Sequence, residues 1–270
     1  TEEGGFNCAF CHGGMKAEGG VADYTITDAN GQFVAQVEWQ APALNTVRLR
    51  YNRDEVRYVL TYGRPFSPMA AWGVEGGGPM NDQQLQNLID YIESIQITPA
   101  ESQKQVTEEL ADMRKMEDEE GRKVYPRSVS DGELLFNLGY ESGFAGGAYA
   151  CGRCHTTGWS YGAKTDDGSG ALGPSLRNGA ATNRFPGAFQ GPVAQTEFVC
   201  AGSEDGQLYG RNGQGTGRMP GFCQTPEVVA NVLETGEVGV EDEEPSDPDT
   251  VGGMLTKEQV EAIVAYERQL

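Results

Sequence analysis

Cys8-Ala9-Phe10-Cys11-His12 and Cys151-Gly152-Arg153-Cys154-His155 are two copies of one pattern, Cys-x-x-Cys-His. In this pattern each thiol can add across a vinyl group of a porphyrin, and the adjacent histidine sits beneath the iron as proximal ligand. The chain has 2 histidines, both inside these runs, so no imidazole remains for another task. One Cys-x-x-Cys can be a redox dithiol, and two can hold zinc through four thiolates. The full pattern, met twice and using the whole histidine supply, points to two covalently bound haem c groups. Cys8, Cys11, Cys151 and Cys154 would attach them, with His12 and His155 on the irons.

A histidine-ligated iron needs a sixth ligand or an open site, and with no spare histidine methionine is the natural candidate. Of the 7 methionines, two stand out by context. Met69 lies in Gly63-Arg64-Pro65-Phe66-Ser67-Pro68-Met69-Ala70-Ala71-Trp72-Gly73, and Met219 in Gly217-Arg218-Met219-Pro220-Gly221-Phe222. Each has an aromatic three residues on, in a Pro/Gly-rich loop free to lay a thioether over a haem face. Met80 and Met254 sit where core packing explains them, Met15 follows His12 too closely, and Met113 and Met116 belong to a linker. Pro42 and Pro174 follow the two motifs. The backbone carbonyl of each is expected to accept from the histidine Nδ1–H and orient the ring; the alternative is a simple turn residue.

The 40 acidic and 20 basic residues leave a formal charge of −20. That argues against nucleic acid and anionic lipid as partners and favours a basic docking surface. Cys200 and Cys223 are left after haem attachment; they are expected to pair as a disulfide, the alternative being two buried thiols. No run of 18 apolar residues spans a membrane. Haem attachment requires export, so a signal or anchor, with part of a first helix, is expected before Thr1, and the location is extracytoplasmic.

The chain reads as two unequal copies of one plan, residues 1–97 and 128–270, joined by a charged linker helix over 98–127. The final helix of each copy is capped alike, by Asn81 with Gln84 and by Thr256 with Gln259. Leu85, Leu88, Ile89 and Ile92 give the first its apolar stripe; Val260, Ile263 and Val264 begin the second. A short helix over Asp54–Tyr62, stopped by Gly63, has a weaker counterpart in Thr196–Ala201, stopped by Gly202. The second copy has a lead helix capped by Ser130. Residues 24–39 alternate around Asp28-Ala29-Asn30-Gly31 and read as a β-hairpin insertion. The linker, opened by Thr98-Pro99, is expected to be a solvated helix that lies against one domain through a thin stripe of Val106, Leu110 and Met113, and to end at Gly121. Pro226–Leu233 reads as a short helix leading into an acidic loop, 234–250, which reads as a solvated loop or docking patch.

These residues together resemble the class I cytochrome c family, present twice: the two haem motifs, Pro42 and Pro174, the loops of Met69 and Met219, and the capped final helices. The segment from Cys154 to Gly162 is similar to membrane-associated actinobacterial cytochromes c. The resemblance implies an all-α fold of two tandem haem domains, the first carrying the hairpin, with an exposed haem edge. It implies single-electron transfer, between a quinol-oxidising complex and a terminal oxidase, by a carrier or a bound subunit rather than an enzyme. Membrane association would come through an upstream anchor or partner subunits. The alternative is a dihaem oxidoreductase, a peroxidase or sulfur-compound dehydrogenase, with one open iron. Trp159 and Tyr161 either line the second haem pocket or pack in the core.

Overall fold

The computed structural model describes residues 8–64, 67–163, 172–202, 219–223 and 253–270. The acidic loop, the helix expected over Pro226–Leu233 and the residues preceding Cys8 lie outside that set. The first half runs α1 (Cys8–His12), β1 (Gly20–Thr27), β2 (Phe33–Ala41), α2 (Arg53–Tyr62) and α3 (Asp82–Ser94). Asn52 and Asn81 each accept from the backbone N–H three residues on, and Glu55 and Gln84 return the bond, so two orphan donors are satisfied at each helix start. Val56 and Leu60 of α2 then pack against Leu85, Ile89 and Ile92 of α3 to form a small core.

The second half runs α4 (Pro99–Met113), α5 (Asp131–Phe136), α6 (Gly152–His155), α7 (Ala180–Arg184), α8 (Gln190–Ala201) and α9 (Lys257–Glu267). Its core is larger and takes in Leu134, Leu135 and Phe136 of α5, Val199 of α8, and Val260, Ile263 and Val264 of α9. Helix α5 crosses α9 closely because Gly132 has no side chain: a Cβ there would lie 1.9 Å from the Ala262 carbonyl oxygen. Phe136 meets Tyr266 across that crossing, with ring centroids 5.4 Å apart.

Backbone hydrogen bonds repeat between the halves. Helix α2 stops at Gly63 (φ 72°) and α8 at Gly202 (φ 79°). A Cβ on Gly63 would meet the Met69 carbonyl oxygen at 2.6 Å, and one on Gly202 the Met219 carbonyl oxygen at 2.5 Å. Trp72 N donates to Leu60 O at 2.9 Å, and Phe222 N to Val199 O at 3.2 Å. Met80 N then donates to Trp72 O, and Leu255 N to Phe222 O, both at 2.8 Å. Isolated bridges pair Gly73 with Met80 and Cys223 with Leu255. The reciprocal caps of α3 and α9 follow at once, the second from Thr256 and Gln259. Each methionine is therefore fixed at the same step of the same chain path.

The linker differs from the sequence expectation. Its helix ends at Met113, not Gly121, and residues beyond it turn back through a bridge between Glu117 and Lys123. It lies against one domain, as expected, and does so deeply: Val106 and Met113 are fully buried in the second core, and Ser102 Oγ lies 2.8 Å from Tyr149 Oη in a buried hydrogen bond. Three apolar side chains at helical spacing suffice to seat one face of α4, while its charged residues keep the other in water.

The hairpin forms where expected, Gly20 opposite Ala41 through Ile26 opposite Ala35, and Asp28 Oδ1 accepts from Asn30 N and Gln32 N at 2.8 Å each to close its turn. It brackets the two halves. Trp39 packs on Tyr161 with ring centroids 5.0 Å apart, and Gln40 Nε2 donates to Tyr140 O at 3.2 Å. Just beyond it, Ala43 N donates to Ala145 O at 2.9 Å, Arg50 Nη1 to Ala148 O at 2.8 Å, and Gly253 N to Leu49 O at 3.1 Å. Ala43 and Leu49, from the first half, belong to the second core.

Candidate haem-binding site

His12 and His155 are held in the same way. Each Nδ1 lies 2.7 Å from a proline carbonyl oxygen, Pro42 for His12 and Pro174 for His155. Proline has no N–H, so its carbonyl is a fixed acceptor outside any helix or strand ladder. Burial pushes His12 below the ordinary imidazole range, the Pro42 bond opposes this, and the Arg153 charge lowers it further. Burial lowers His155 too, against the bond to Pro174. Both rings are thus neutral near pH 7 with Nδ1–H donated to the carbonyl, which leaves the Nε2 lone pair for iron. Gly173 is needed beside the second ring, since a Cβ there would lie 2.7 Å from His155 Cε1.

A cavity of about 230 Å³ is lined by Cys8, Cys11 and His12 of the first motif and by Met69. Four residues expected from sequence to serve one haem therefore face one space. Its apolar wall comes from Leu44, Val56, Leu60, Trp72 and Ile92. Cys154 of the second motif lines it as well. His155 borders a separate cavity of about 150 Å³, with Phe136 and Tyr266 from the α5–α9 crossing and Leu176 beyond Pro174. Met219 packs against the second core and is not among the residues lining that cavity. The structure brings Met69 to its histidine and leaves Met219 in the matching loop.

The other methionines fall where packing explains them. Met113 and Met254 are fully buried in the second core, Met116 packs against that core and Met80 against the first, and Met15 is largely exposed. Burial raises the thiol pKa of Cys8 and Cys11, and that of Cys151 well above its ordinary value. Among the described residues no group of three or more His, Cys, Asp and Glu side chains is placed to hold a metal ion, so the two thiol pairs do not converge on one zinc site. Cys200 and Cys223 are joined as a disulfide, with Cα atoms 4.5 Å apart. It ties the end of α8 to the residues just after Met219. Trp159 proves to be core: it is fully buried and donates to Asn137 Oδ1 at 3.1 Å. Tyr161 instead supports Trp39, which lines the first cavity.

Two lining groups match a porphyrin carrying carboxylates and were not read from sequence. Trp39 Nε1 and Arg50 Nε are buried and have no hydrogen-bond partner among the described residues. A buried donor left unpaired is costly, and an acidic group within the cavity would satisfy both. The one signal in the sequence was Arg153, a cation placed inside a haem motif of a strongly acidic chain. The donor set fits haem: paired thiols, a neutral imidazole, a thioether, an apolar wall and unsatisfied donors.

Among the described residues no helix is long and apolar enough to cross a membrane. Residues 5–92 match the family model of cytochrome C oxidase, cbb3-type, subunit III. That segment is a cytochrome c domain, a haem protein of electron transfer, and the family implies covalently bound haem c, for which Cys8, Cys11 and His12 supply the attachment motif. No curated protein and no solved structure matches the chain.

Proposed function

We propose that the cytochrome c domain at residues 5–92 is the first of two, and that the chain is a dihaem electron-transfer protein. The second domain is residues 128–270, with Cys151, Cys154 and His155 holding its haem and Met219 completing the iron. The observation that carries this reading is the repeated path through Gly63, Met69, Met80 and α3, matched by Gly202, Met219, Leu255 and α9, together with equal 2.7 Å histidine–proline contacts. When bound, each haem supplies a one-electron couple.

The protein's part is to hold that couple in place. Pro42 and Pro174 orient the imidazoles and raise their basicity as ligands. Met69 and Met219 would each supply a thioether to the iron, which would raise the potential and close the iron to substrate. The apolar walls exclude water. The two halves pack together through the hairpin and Arg50, and Cys154 reaches the first cavity, so the two attachment motifs would hold their haems close enough for exchange of an electron.

The chain works outside the cytoplasm, a placement the Cys200–Cys223 disulfide supports. It carries electrons from a quinol-oxidising complex toward a terminal oxidase, docking through its acidic surface to basic faces of respiratory subunits, and it associates with the membrane through those subunits or an anchor. The test is optical and magnetic circular dichroism spectroscopy of the oxidised and reduced protein, with and without carbon monoxide. Methionine charge-transfer bands from both haems and no carbon monoxide adduct are expected. Loss of one methionine band in Met69→Ala and the other in Met219→Ala assigns each ligand. An adduct on one haem of the unsubstituted protein would mark an open iron and turn the reading to a dihaem oxidoreductase.

A further inference from the structure

The two methionine segments are anchored at matching backbone positions but held by different means. Thr61 and Cys200 are each the last residue but one of their helices, α2 and α8. Met69 lies 4 residues before Gly73, and Met219 lies 4 before Cys223. Gly73 N donates to Thr61 O at 3.2 Å, and Cys223 N to Cys200 O at 3.4 Å. Gly73 and Cys223 then make the corresponding bridges to Met80 and Leu255. Side chains at the paired positions face each other, since a Cβ on Gly73 would lie 2.9 Å from Thr61 Cγ2. In the second half both positions carry cysteine, and the facing side chains are joined.

The bond accompanies a longer stretch of chain. Met69 comes 8 residues after Thr61, whereas Met219 comes 19 after Cys200. Closing the longer stretch costs more chain entropy. The first half also fixes its methionine locally. Ser67 Oγ accepts from Met69 N at 3.2 Å and donates to Arg64 O at 2.8 Å, and Arg64 N donates to Met69 O at 2.9 Å. Gly217 stands in sequence where Ser67 does, and glycine has no hydroxyl to take that part. A covalent bond just beyond Met219 supplies the missing constraint. We infer that the Cys200–Cys223 disulfide is the positioning element for Met219: it keeps that thioether on the second iron, and so keeps the iron closed to outside ligands. This rests on the proposal that the second motif carries a haem with Met219 as ligand. Opening the bond with a phosphine gives two thiols and the phosphine oxide, the oxygen and both protons coming from water. The attachment through Cys151 and Cys154 is untouched.

Without the disulfide, the tether from the end of α8 to Met219 grows from 4 residues, counted back through Cys223, to 19. The effective concentration of a tethered ligand falls roughly as the −3/2 power of tether length, here a drop of about tenfold. The bonds from Phe222 N to Val199 O and from Leu255 N to Phe222 O remain, so that figure is a ceiling. The test is imidazole titration of the ferric, haem-loaded protein, followed by its methionine charge-transfer bands, with Met69→Ala and Met219→Ala assigning each band. It compares the unsubstituted protein with the paired Cys200→Ser and Cys223→Ser variant, and with Cys200→Thr plus Cys223→Gly, which installs the residues of the first half. Both variants are expected to lose Met219 at severalfold lower imidazole, with Met69 displaced at an unchanged concentration. A bond that only adds stability would leave both displacement concentrations unchanged at full haem content, and that result overturns the inference. Should neither variant fold, the unsubstituted protein decides, reduced with ascorbate under carbon monoxide and then treated with a phosphine. An adduct at the second haem that forms as two thiols become open to alkylation supports the inference; two thiols without an adduct overturn it. An untreated protein with no methionine band at its second haem would refute Met219 as ligand and this inference with it, whereas bands that loss of the disulfide leaves unmoved overturn this inference alone.

Discussion

Replacing Gly132 by alanine should destabilise the second half of the molecule. The new Cβ would lie 1.9 Å from the Ala262 carbonyl oxygen, 2.6 Å from its carbon and 3.1 Å from Tyr266 Cβ. Ordinary contact begins near 3.4 Å, so the α5 and α9 backbones would have to part by more than ~1 Å in a close-packed interior. The obstruction is a helix backbone, which cannot rotate away as a flexible side chain could. Parting the helices also loosens Leu134, Leu135 and Phe136 against Val260, Ile263 and Val264. Such overpacking typically costs about 1–3 kcal/mol. Against it stands a gain of about 1 kcal/mol from alanine over glycine within a helix. The net expected is a loss of about 2 kcal/mol, at the upper end because backbone must move. Denaturant titration of the haem-loaded protein, followed by far-ultraviolet circular dichroism and Soret absorbance, reads this as a lower midpoint at similar slope. Equal or greater stability of the variant would refute the close crossing of α5 and α9.

Other expectations follow from single groups. Glu267 is buried, and desolvation raises its carboxyl to about 7, with a 2.8 Å bond from Gln195 Nε2 opposing the rise. Below the unfolded value of 4.5 the carboxyl is protonated folded or unfolded and nothing is lost. Between there and about 7 the unfolded chain ionises first, so stability falls with rising pH, in total by about 3 kcal/mol, and then levels. Glu267→Gln should remove that slope between pH 5 and 8, and an unchanged slope would assign it elsewhere. Reducing the Cys200–Cys223 bond, which spans 23 residues, should cost about 3 kcal/mol by releasing the unfolded chain; identical denaturation curves with and without reductant would contradict this. Asn81→Ala removes the reciprocal cap of α3 and should cost about 1 kcal/mol; a denaturation midpoint within error of the unsubstituted protein would show that the cap adds nothing there.

Local features were legible in the sequence because their causes are local. Asn81 with Gln84 and Thr256 with Gln259 close the boxes that their spacing predicts. The turn at Asp28–Gly31 sets the hairpin, and each proline carbonyl lies where the following chain returns to its histidine. Depth of burial was harder. Val106 and Met113 make a thin stripe that sets α4 against a domain without saying which one or how deeply, and both are fully buried in the second core. Helix α8 begins at Gln190, six residues before the reading from sequence placed it, because Pro192 is tolerated within the first turn. Long-range pairing was not legible. Nothing near Arg50 in sequence says that it meets Ala148, or that Trp39 reaches Tyr161. Those contacts exist because the hairpin inserted in the first half lies across the second, and the shared wall of the first cavity follows from that placement alone.

The dihaem protein proposed above carries haem on both motifs. Intact-mass measurement of the purified, denatured polypeptide tests it most directly, because thioether-bound haem survives unfolding and haem held by ligation alone does not. The expected result is the mass of the chain plus two haems, with the thiols of Cys8, Cys11, Cys151 and Cys154 all blocked to alkylation. A mass with one haem and two alkylatable thiols at Cys151 and Cys154 would contradict it, leaving the cytochrome c domain of the first half as the only haem site.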